Sequence, residues 1–399
     1  MKKAYVIGSC DTKYAELSYA KELIKQAGVE VILVDVGIFN HNNAVDIPNA
    51  EVAKHHPAKP DFLSAGLDRG SAVTAMSEAL EIFLPTRDDI GGVLGMGGTG
   101  NTALVTRGMR ALPVGIPKLM VSTVASGNTA PYIGATDICM MASVADVAGL
   151  NPVSRAVLGN AAHAMAGMVK NTIPTVPDVK PLLGMTMFGV TTPCVTNLQK
   201  IFENEFEPLV FHATGIGGQC FEKLIDSGML KYVIDVTLTE VCDLFMGGVM
   251  SAGPDRLGAV ARMRLPYVGS LGALDMVNFG AMNTVPEKYA GRNLYVHNAN
   301  VTLMRTTPKE NEEMGRWIGE KLNCCEGPVR FLIPEGGVSA IDAPGQPFHD
   351  PEADRALFDN LEATVRQTDM RKVIRIPLHI NDPDFAVALA KHFQEITRI

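Results

Sequence analysis

Short apolar runs alternate with stretches whose apolar residues recur at helical spacing. Lys3 to Ile7 is β-rich, and Ala15 to Gln26 follows with helical spacing. Val29 to Val34 is a second β run, and Ala72 to Phe83 a second helix. Gly92 to Leu94 ends a buried strand, Asn101 to Ala111 is helical, and Lys118 to Ser122 is another strand. Runs this apolar suit strands buried on both faces, and the intervening helices suit crossovers. The pattern predicts an α/β fold with a mostly parallel sheet.

Asn171 to Pro181 breaks the pattern. Three prolines in eleven residues exclude a regular helix or central strand. The alternation then restarts, with strands at Leu182 to Val190, Leu209 to His212 and Tyr232 to Val236. Helices are expected at Val195 to Phe206 and Gln219 to Ser227. The expected architecture is two Rossmann-like domains, at 1–175 and 181–399, with an interdomain cleft. Each half contains a strand, a cluster of glycines, a helix and a strand, which reads as an internal duplication or as the glycine common to any βα turn.

Composition narrows the function. Of the 399 residues, 47% are hydrophobic and 20% charged, as in a globular protein with large cores. The net charge of -8, with no Lys/Arg-rich block, argues against nucleic acid as a partner. No uncharged apolar run approaches the ~18 residues of a membrane helix, and the N-terminus lacks a signal-peptide pattern. The seven cysteines include no C-x-x-C, so reduced thiols in a cytoplasmic protein are expected.

The glycine clusters carry the chemistry. Gly95-Met96-Gly97-Gly98-Thr99-Gly100 follows a strand and opens a helix. There glycine allows close approach of a ligand, and the helix start offers unpaired N–H groups to an anion. Thr99, Asn101 and Thr102 add side-chain donors. A dinucleotide would also need an acid about 20 residues on to hold its ribose. The next strand tip instead reads Ser122-Thr123-Val124-Ala125-Ser126-Gly127, and the first carboxylate after Gly100 is Asp137. A Walker A loop is absent too. The reading is therefore a phosphate site, with Thr123, Ser126 and Gly127 completing it. Gly215, Gly217 and Gly218 repeat the cluster in the second half.

Asp11 and Lys13, just past the first strand, suit Mg²⁺ and phosphate respectively, or a helix cap. Asp235 stands at a strand end with Thr237, Thr239 and Glu240, suited to metal or general-base work, or to a solvated loop or cap. Asp275 lies within an apolar stretch, where a carboxylate must be paired or protonated. His212 and His297 each close a β-like run, as an acid, a base or packed structural residues. Cys10 has no histidine partner by spacing. Asp11, His212, Asp235 and Asp275 are the catalytic candidates, and no metal-ligand cluster stands out.

Collinear motifs run through nearly the whole chain: Gly8-Ser9-Cys10-Asp11-Thr12-Lys13, the Gly95 to Gly100 loop, Ser122 to Gly127 and Phe188-Gly189-Val190-Thr191-Thr192-Pro193. They continue through Phe211 to Gly215, Leu274 to Phe279, Leu303 to Thr307, Gly336 to Ser339 and Asp342 to Gly345. On these the chain resembles the Tm-1-like ATP-binding family, which includes UPF0261 proteins and the amino-terminal domain of a tomato resistance protein. The resemblance implies two Rossmann-like subdomains, ATP binding and a homodimer. An ATP- and Mg²⁺-dependent enzyme acting on a small metabolite is the leading reading. A nucleotide-dependent sensor or interaction module, and a sugar-acid or acyl-compound enzyme working without ATP, are the alternatives.

Overall fold

The computed structural model describes residues 2–39, 41–171, 173–174 and 179–397. The chain divides into two units, Met1–Val176 and Pro177–Ile399. The expected linker at 171–181 falls partly outside the described residues.

The first unit contains β1 (Lys3–Gly8), β2 (Val31–Asp35), β3 (Ile90–Gly97), β4 (Lys118–Ser122) and β5 (Ile138–Ala142). They pair in the order β2-β1-β3-β4-β5, every pair parallel. The helices are α1 (Cys10–Gln26), α2 (Asn49–Ala53), α3 (Arg69–Phe83), α4 (Thr99–Ala111), α5 (Ala130–Ile133) and α6 (Pro152–Lys170). The strand run Ala4 to Ile7 is fully buried because both sheet faces are covered. Ala4 and Val6 point into a core shared with Leu17, Ala20 and Leu158 of α1 and α6. Tyr5 and Ile7 alternate onto the opposite core, with Met76 of α3 and Val105 of α4.

The second unit begins with β6 (Leu182–Met187), α7 (Thr192–Phe202), β7 (Glu207–His212), α8 (Ile216–Asp226), β8 (Tyr232–Thr237), α9 (Thr239–Met246), α10 (Gly258–Arg262) and β9 (Tyr267–Gly272). Three further strands follow, β10 (Met276–Phe279), β11 (Leu294–Asn298) and β12 (Val301–Arg305), paired antiparallel as β10-β12-β11. The unit ends with α11 (Pro308–Asn323), β13 (Val329–Pro334), α12 (Pro351–Thr364), β14 (Arg371–Ile376) and α13 (Pro383–Thr397). The large sheet runs β14-β13-β9-β8-β6-β7, all parallel. Its first strand, like that of the other unit, is flanked by its second and third strands. Both units are thus mostly parallel, doubly wound α/β sheets. Among the described residues no helix is long and apolar enough to cross a membrane.

The helices start earlier than their spacing predicts. α1 begins at Cys10, α4 at Thr99 and α8 at Ile216, each inside the glycine- and hydroxyl-rich segment. Those residues have low helix propensity but are well suited to a first turn or cap, so an apolar-spacing criterion passes over them. The strand expected through Val190 ends at Met187, and Gly189–Thr191 forms a 3₁₀ turn.

β3 runs on to Gly97, so Gly95 is a strand residue paired with Met120. A Cβ on Gly95 would meet Met120 Sδ and Val105 Cγ1, each at 2.7 Å. Gly95→Val should therefore overpack this core and destabilise the fold by about 1–3 kcal/mol. Chemical denaturation measures it, and an unchanged midpoint would contradict the packing role.

Candidate functional site

In the first sheet the chain leaves β1 toward β2 on one side, then returns to β3 on the other. The carboxyl ends of β1 and β3 are therefore the topological switch point, where open α/β sheets place ligands. A cavity of about 580 Å³ lies there. Ser9, Thr12 and Lys13 of the β1–α1 turn line it, opposite Gly98, Thr99, Gly100 and Asn101. Arg69 at the start of α3 and Asp146 of the segment after β5 close its sides.

The local conformation prepares this cavity for an anion. Gly97 has φ +151, and a Cβ there would strike Asn101 Cβ at 2.8 Å, so this turn requires glycine. Asn101 donates to the Met96 carbonyl at 2.6 Å, and its Oδ1 accepts from Ser9 Oγ at 3.0 Å, tying the two loops together. The first intrahelical bond of α4 runs from the Thr102 N–H to the Gly98 carbonyl. The N–H groups of Thr99, Gly100 and Asn101 have no acceptor among the described residues. Nothing lies within 4 Å of a Cβ built on Gly100, and only Thr123 Oγ1, at 3.8 Å, is that close to one on Gly98. Neither Lys13 nor Arg69 has a carboxylate partner among the described residues. Three free N–H groups, two unneutralised cations and the positive end of α4 converge on one space.

The structure thus brings together Lys13, Gly98, Thr99, Gly100 and Asn101. Gly95 and Gly97 shape the loop from behind. Thr123 and Ser126 line a neighbouring cavity. Gly127 closes a turn onto the Val124 carbonyl. Asp11 is turned away from the cavity, its Oδ2 accepting from the Ile38 and Phe39 N–H groups at 3.1 Å each. It holds the segment after β2, as a carboxylate near free amides does. Cys10 is buried beside Asp35, and burial, then the Asp35 carboxylate, pushes its thiol above the ordinary range, away from the thiolate that a nucleophile needs.

Sequence reasoning missed Ser9, Arg69 and Asp146. Arg69 follows Asp68, whose side chain caps α3 through the Gly70 and Ser71 N–H groups. That cap is readable in sequence, but the place of its neighbour depends on where α3 packs. Asp146 lies beyond the acid-free stretch that frames the glycine loop.

In the second unit the equivalent glycine turn is filled from within. Glu240 Oε1 accepts from the N–H groups of Gly215, at 2.7 Å, and Gly218, at 2.9 Å. A Cβ on Gly218 would overlap the Glu240 carboxylate, and one on Gly217 would overlap the His212 carbonyl. These glycines therefore admit the protein's own carboxylate. Glu240 pairs with Arg256 at 2.9 Å, and Arg256 also binds Glu222 at 3.1 Å. Asp235 meets the same guanidinium through two bonds of 2.7 Å and accepts from Tyr267 at 2.9 Å. Asp235 is thus a buried structural partner of an arginine. Burial raises Glu222 and Glu240 above the ordinary carboxylate range, outweighing the attraction of Arg256.

Asp275 is likewise internal. Its Oδ2 accepts from Ser339 Oγ at 2.7 Å, while its Oδ1 is buried with no hydrogen-bonding partner among the described residues. Burial, then the nearby Asp342, pushes it above the ordinary range against Arg305. His212 is exposed, its ring stacked on Phe188 at 5.3 Å. His297 is exposed on β11. Among the described residues no group of three or more His, Cys, Asp or Glu could hold a metal ion.

Two outcomes follow. Glu240→Ala leaves Arg256 short of a buried partner and should cost about 3–5 kcal/mol, measured by denaturation; a loss below about 1 kcal/mol would contradict the buried-pair account. A raised carboxyl binds its proton more tightly in the folded state. The contribution of Asp275 therefore turns unfavourable as pH rises above about 4, the unfolded value. Asp275→Asn should flatten the fall in stability from that pH upward, and an unchanged pH–stability curve would show that Asp275 does not carry it.

Residues 2–174 match the model described as Uncharacterised protein family (UPF0261) N-terminal domain, and residues 180–397 match the corresponding C-terminal domain. A UPF0261 protein of Rhizobium meliloti is 56% identical over 396 residues, covering 99% of both chains. One from Clostridium tetani is 47% identical over 395 residues, covering 98% of each. The ToMV resistance protein Tm-1 of Solanum lycopersicum is 40% identical over 420 residues, covering 99% of this chain and 56% of the plant protein. Matched from end to end by both halves of one family, the chain belongs to the UPF0261 family.

Proposed function

We propose that the first unit binds a phosphate-bearing nucleotide, ATP with Mg²⁺, in the cavity at the β1–β3 switch point. One observation carries this reading: the unpaired N–H groups of Thr99, Gly100 and Asn101 open onto the same space as Lys13 and Arg69. Phosphate oxygens satisfy such donors without desolvating a carboxylate of the protein. Mg²⁺ keeps most of its water and enters such sites on the phosphates of the nucleotide, with one or two carboxylates at most.

A dinucleotide fits less well. Asp35 ends β2, where a ribose acceptor would stand. Its Oδ1 already accepts from the Cys10 and Gly37 N–H groups at 2.9 and 2.8 Å, and its Oδ2 meets His41 Nε2 at 2.8 Å. ATP depends less on that strand, because its phosphates carry most of the interaction. A small metabolite as second substrate makes this site an enzyme's, the reading that its further polar lining supports.

Gly98→Val tests the site. Gly98 has an ordinary extended conformation and open space around it, so valine should fold there. Its side chain would occupy the phosphate approach and remove charge-assisted bonds worth about 1.5–3 kcal/mol, roughly a tenfold to hundredfold loss of affinity. Calorimetric titration with ATP and Mg²⁺ measures this. Unchanged affinity in a variant with wild-type thermal stability would overturn the assignment.

A further inference from the structure

The first unit holds a second cavity beside the first, of about 470 Å³, at the carboxyl ends of β4 and β5. Thr123 and Ser126 line one side and Ser143 to Asp146 the other. Asp146 lines both cavities. The two spaces adjoin: the Thr123 N–H donates to the Gly97 carbonyl at 3.3 Å, and its hydroxyl lies 3.8 Å from the position of a Cβ on Gly98.

The chemistry of the two linings differs. The first carries Lys13, Arg69 and the free amides of α4. The second contains no Lys, Arg or His, and Asp146 is its acid. An anionic ligand would find no counter-charge there. Ser122 is bound to Thr102 at 2.6 Å, and Ser143 to the Ala145 carbonyl at 2.6 Å. The hydroxyls of Thr123 and Ser126 are exposed and make no hydrogen bond among the described residues. The segment that carries Asp146 is held in a costly shape. Val144, β-branched, has φ 65 and is 81% exposed, while the preceding Ser143 N–H is tied to the Ser122 carbonyl at 3.1 Å. Such strain persists where surrounding contacts over-determine a backbone, and it concentrates at ligand sites.

We infer that the second cavity binds a neutral polyhydroxylated compound, a sugar or an alditol, as the acceptor of the γ-phosphoryl group of a nucleotide held in the first. This rests on the nucleotide reading. A hydroxyl oxygen of the acceptor forms the new bond to the γ-phosphorus. The bond from that phosphorus to the β–γ bridging oxygen breaks, and its electron pair leaves with ADP. The hydroxyl proton passes to the Asp146 carboxylate and then to solvent. Thr123 and Ser126 bind the acceptor's other hydroxyls.

The test uses the full chain with ATP, Mg²⁺ and a panel of xylitol, mannitol, ribose and glucose, with gluconate as the anionic counterpart. ATP binding is first measured by titration, and ADP release is then followed with each compound. A neutral member should raise ADP release and yield its phosphate ester. Thr123→Val with Ser126→Ala should raise the KM for that compound about tenfold or more, the loss expected from two hydrogen bonds. Asp146→Asn should lower kcat at least about a hundredfold, as loss of a general base does. If ATP does not bind, the nucleotide reading and this inference both fall. If ATP binds and no neutral compound is phosphorylated, or gluconate is preferred, this inference alone falls. A Thr123/Ser126 variant that loses ATP affinity instead would make the second cavity part of the nucleotide site and overturn it. Loss of Mg²⁺-dependent ATP affinity in Asp146→Asn would assign Asp146 to the metal and overturn its role as base.

Discussion

Burial of both faces of each parallel sheet is the constraint on which the rest depends. A strand covered on two sides, as Ala4 to Ile7 is, admits a polar side chain along its length only where a buried partner meets it, as Arg256 meets Asp235 of β8. Polar chemistry is pushed to the strand ends, where the chain must turn into a helix. The first turn of that helix brings N–H groups with no intrahelical partner, so each βα junction poses the same problem of which acceptor will meet them.

The two glycine turns answer it differently. After β3 the N–H groups of Thr99 to Asn101 open onto a cavity, and the cations near them have no carboxylate partner among the described residues. After β7 the N–H groups of Gly215 and Gly218 bind Glu240, a buried carboxylate held in turn by Arg256. The sequence motifs at the two turns are nearly the same. The difference lies in a residue more than twenty positions away that reaches back from α9, and no local motif reports that reach. A glycine-rich turn therefore states that something approaches the backbone closely, not whether it is a ligand or the protein itself.

The fold was legible wherever the signal is local. Lys118 to Ser122 is a strand with the bounds its apolar run predicts, and the alternation of runs specifies two parallel sheets. The switch-point cavity was legible as far as Lys13 and Gly98 to Asn101, because a glycine turn between a strand and a helix has a local meaning. Ser9, Arg69 and Asp146 were not, since each reaches the cavity through packing between distant elements. Asp275 was visible as a carboxylate in an apolar stretch, whereas Asp235, read as metal or base chemistry or as a solvated loop or cap, lies fully buried. Their partners settle the matter: Ser339 for the one, Arg256 and Tyr267 for the other, all remote in sequence.

The buried acids of the second unit do not act chiefly as a reserve of stability. Buried ion pairs gain little over apolar side chains of similar volume, and here three carboxylates crowd one guanidinium at Arg256. What several of these carboxylates do is hold backbone. Glu222 accepts from the Leu257 and Ala259 N–H groups, Asp243 from those of Met250 and Asn278, and Asp342 from that of Val338. Burial raises Asp243 to about 7, so its hold on these loops comes at an electrostatic cost. Loops pinned by internal anions have their donors already satisfied. In the first unit Asp11 and Asp35 pin loops in the same way, but the turn into α4 keeps three N–H groups without an acceptor among the described residues, and such a group is favourable in a cavity only when something outside the chain supplies one. The asymmetry between two otherwise similar sheets is therefore what supports our proposal of a ligand site in the first unit.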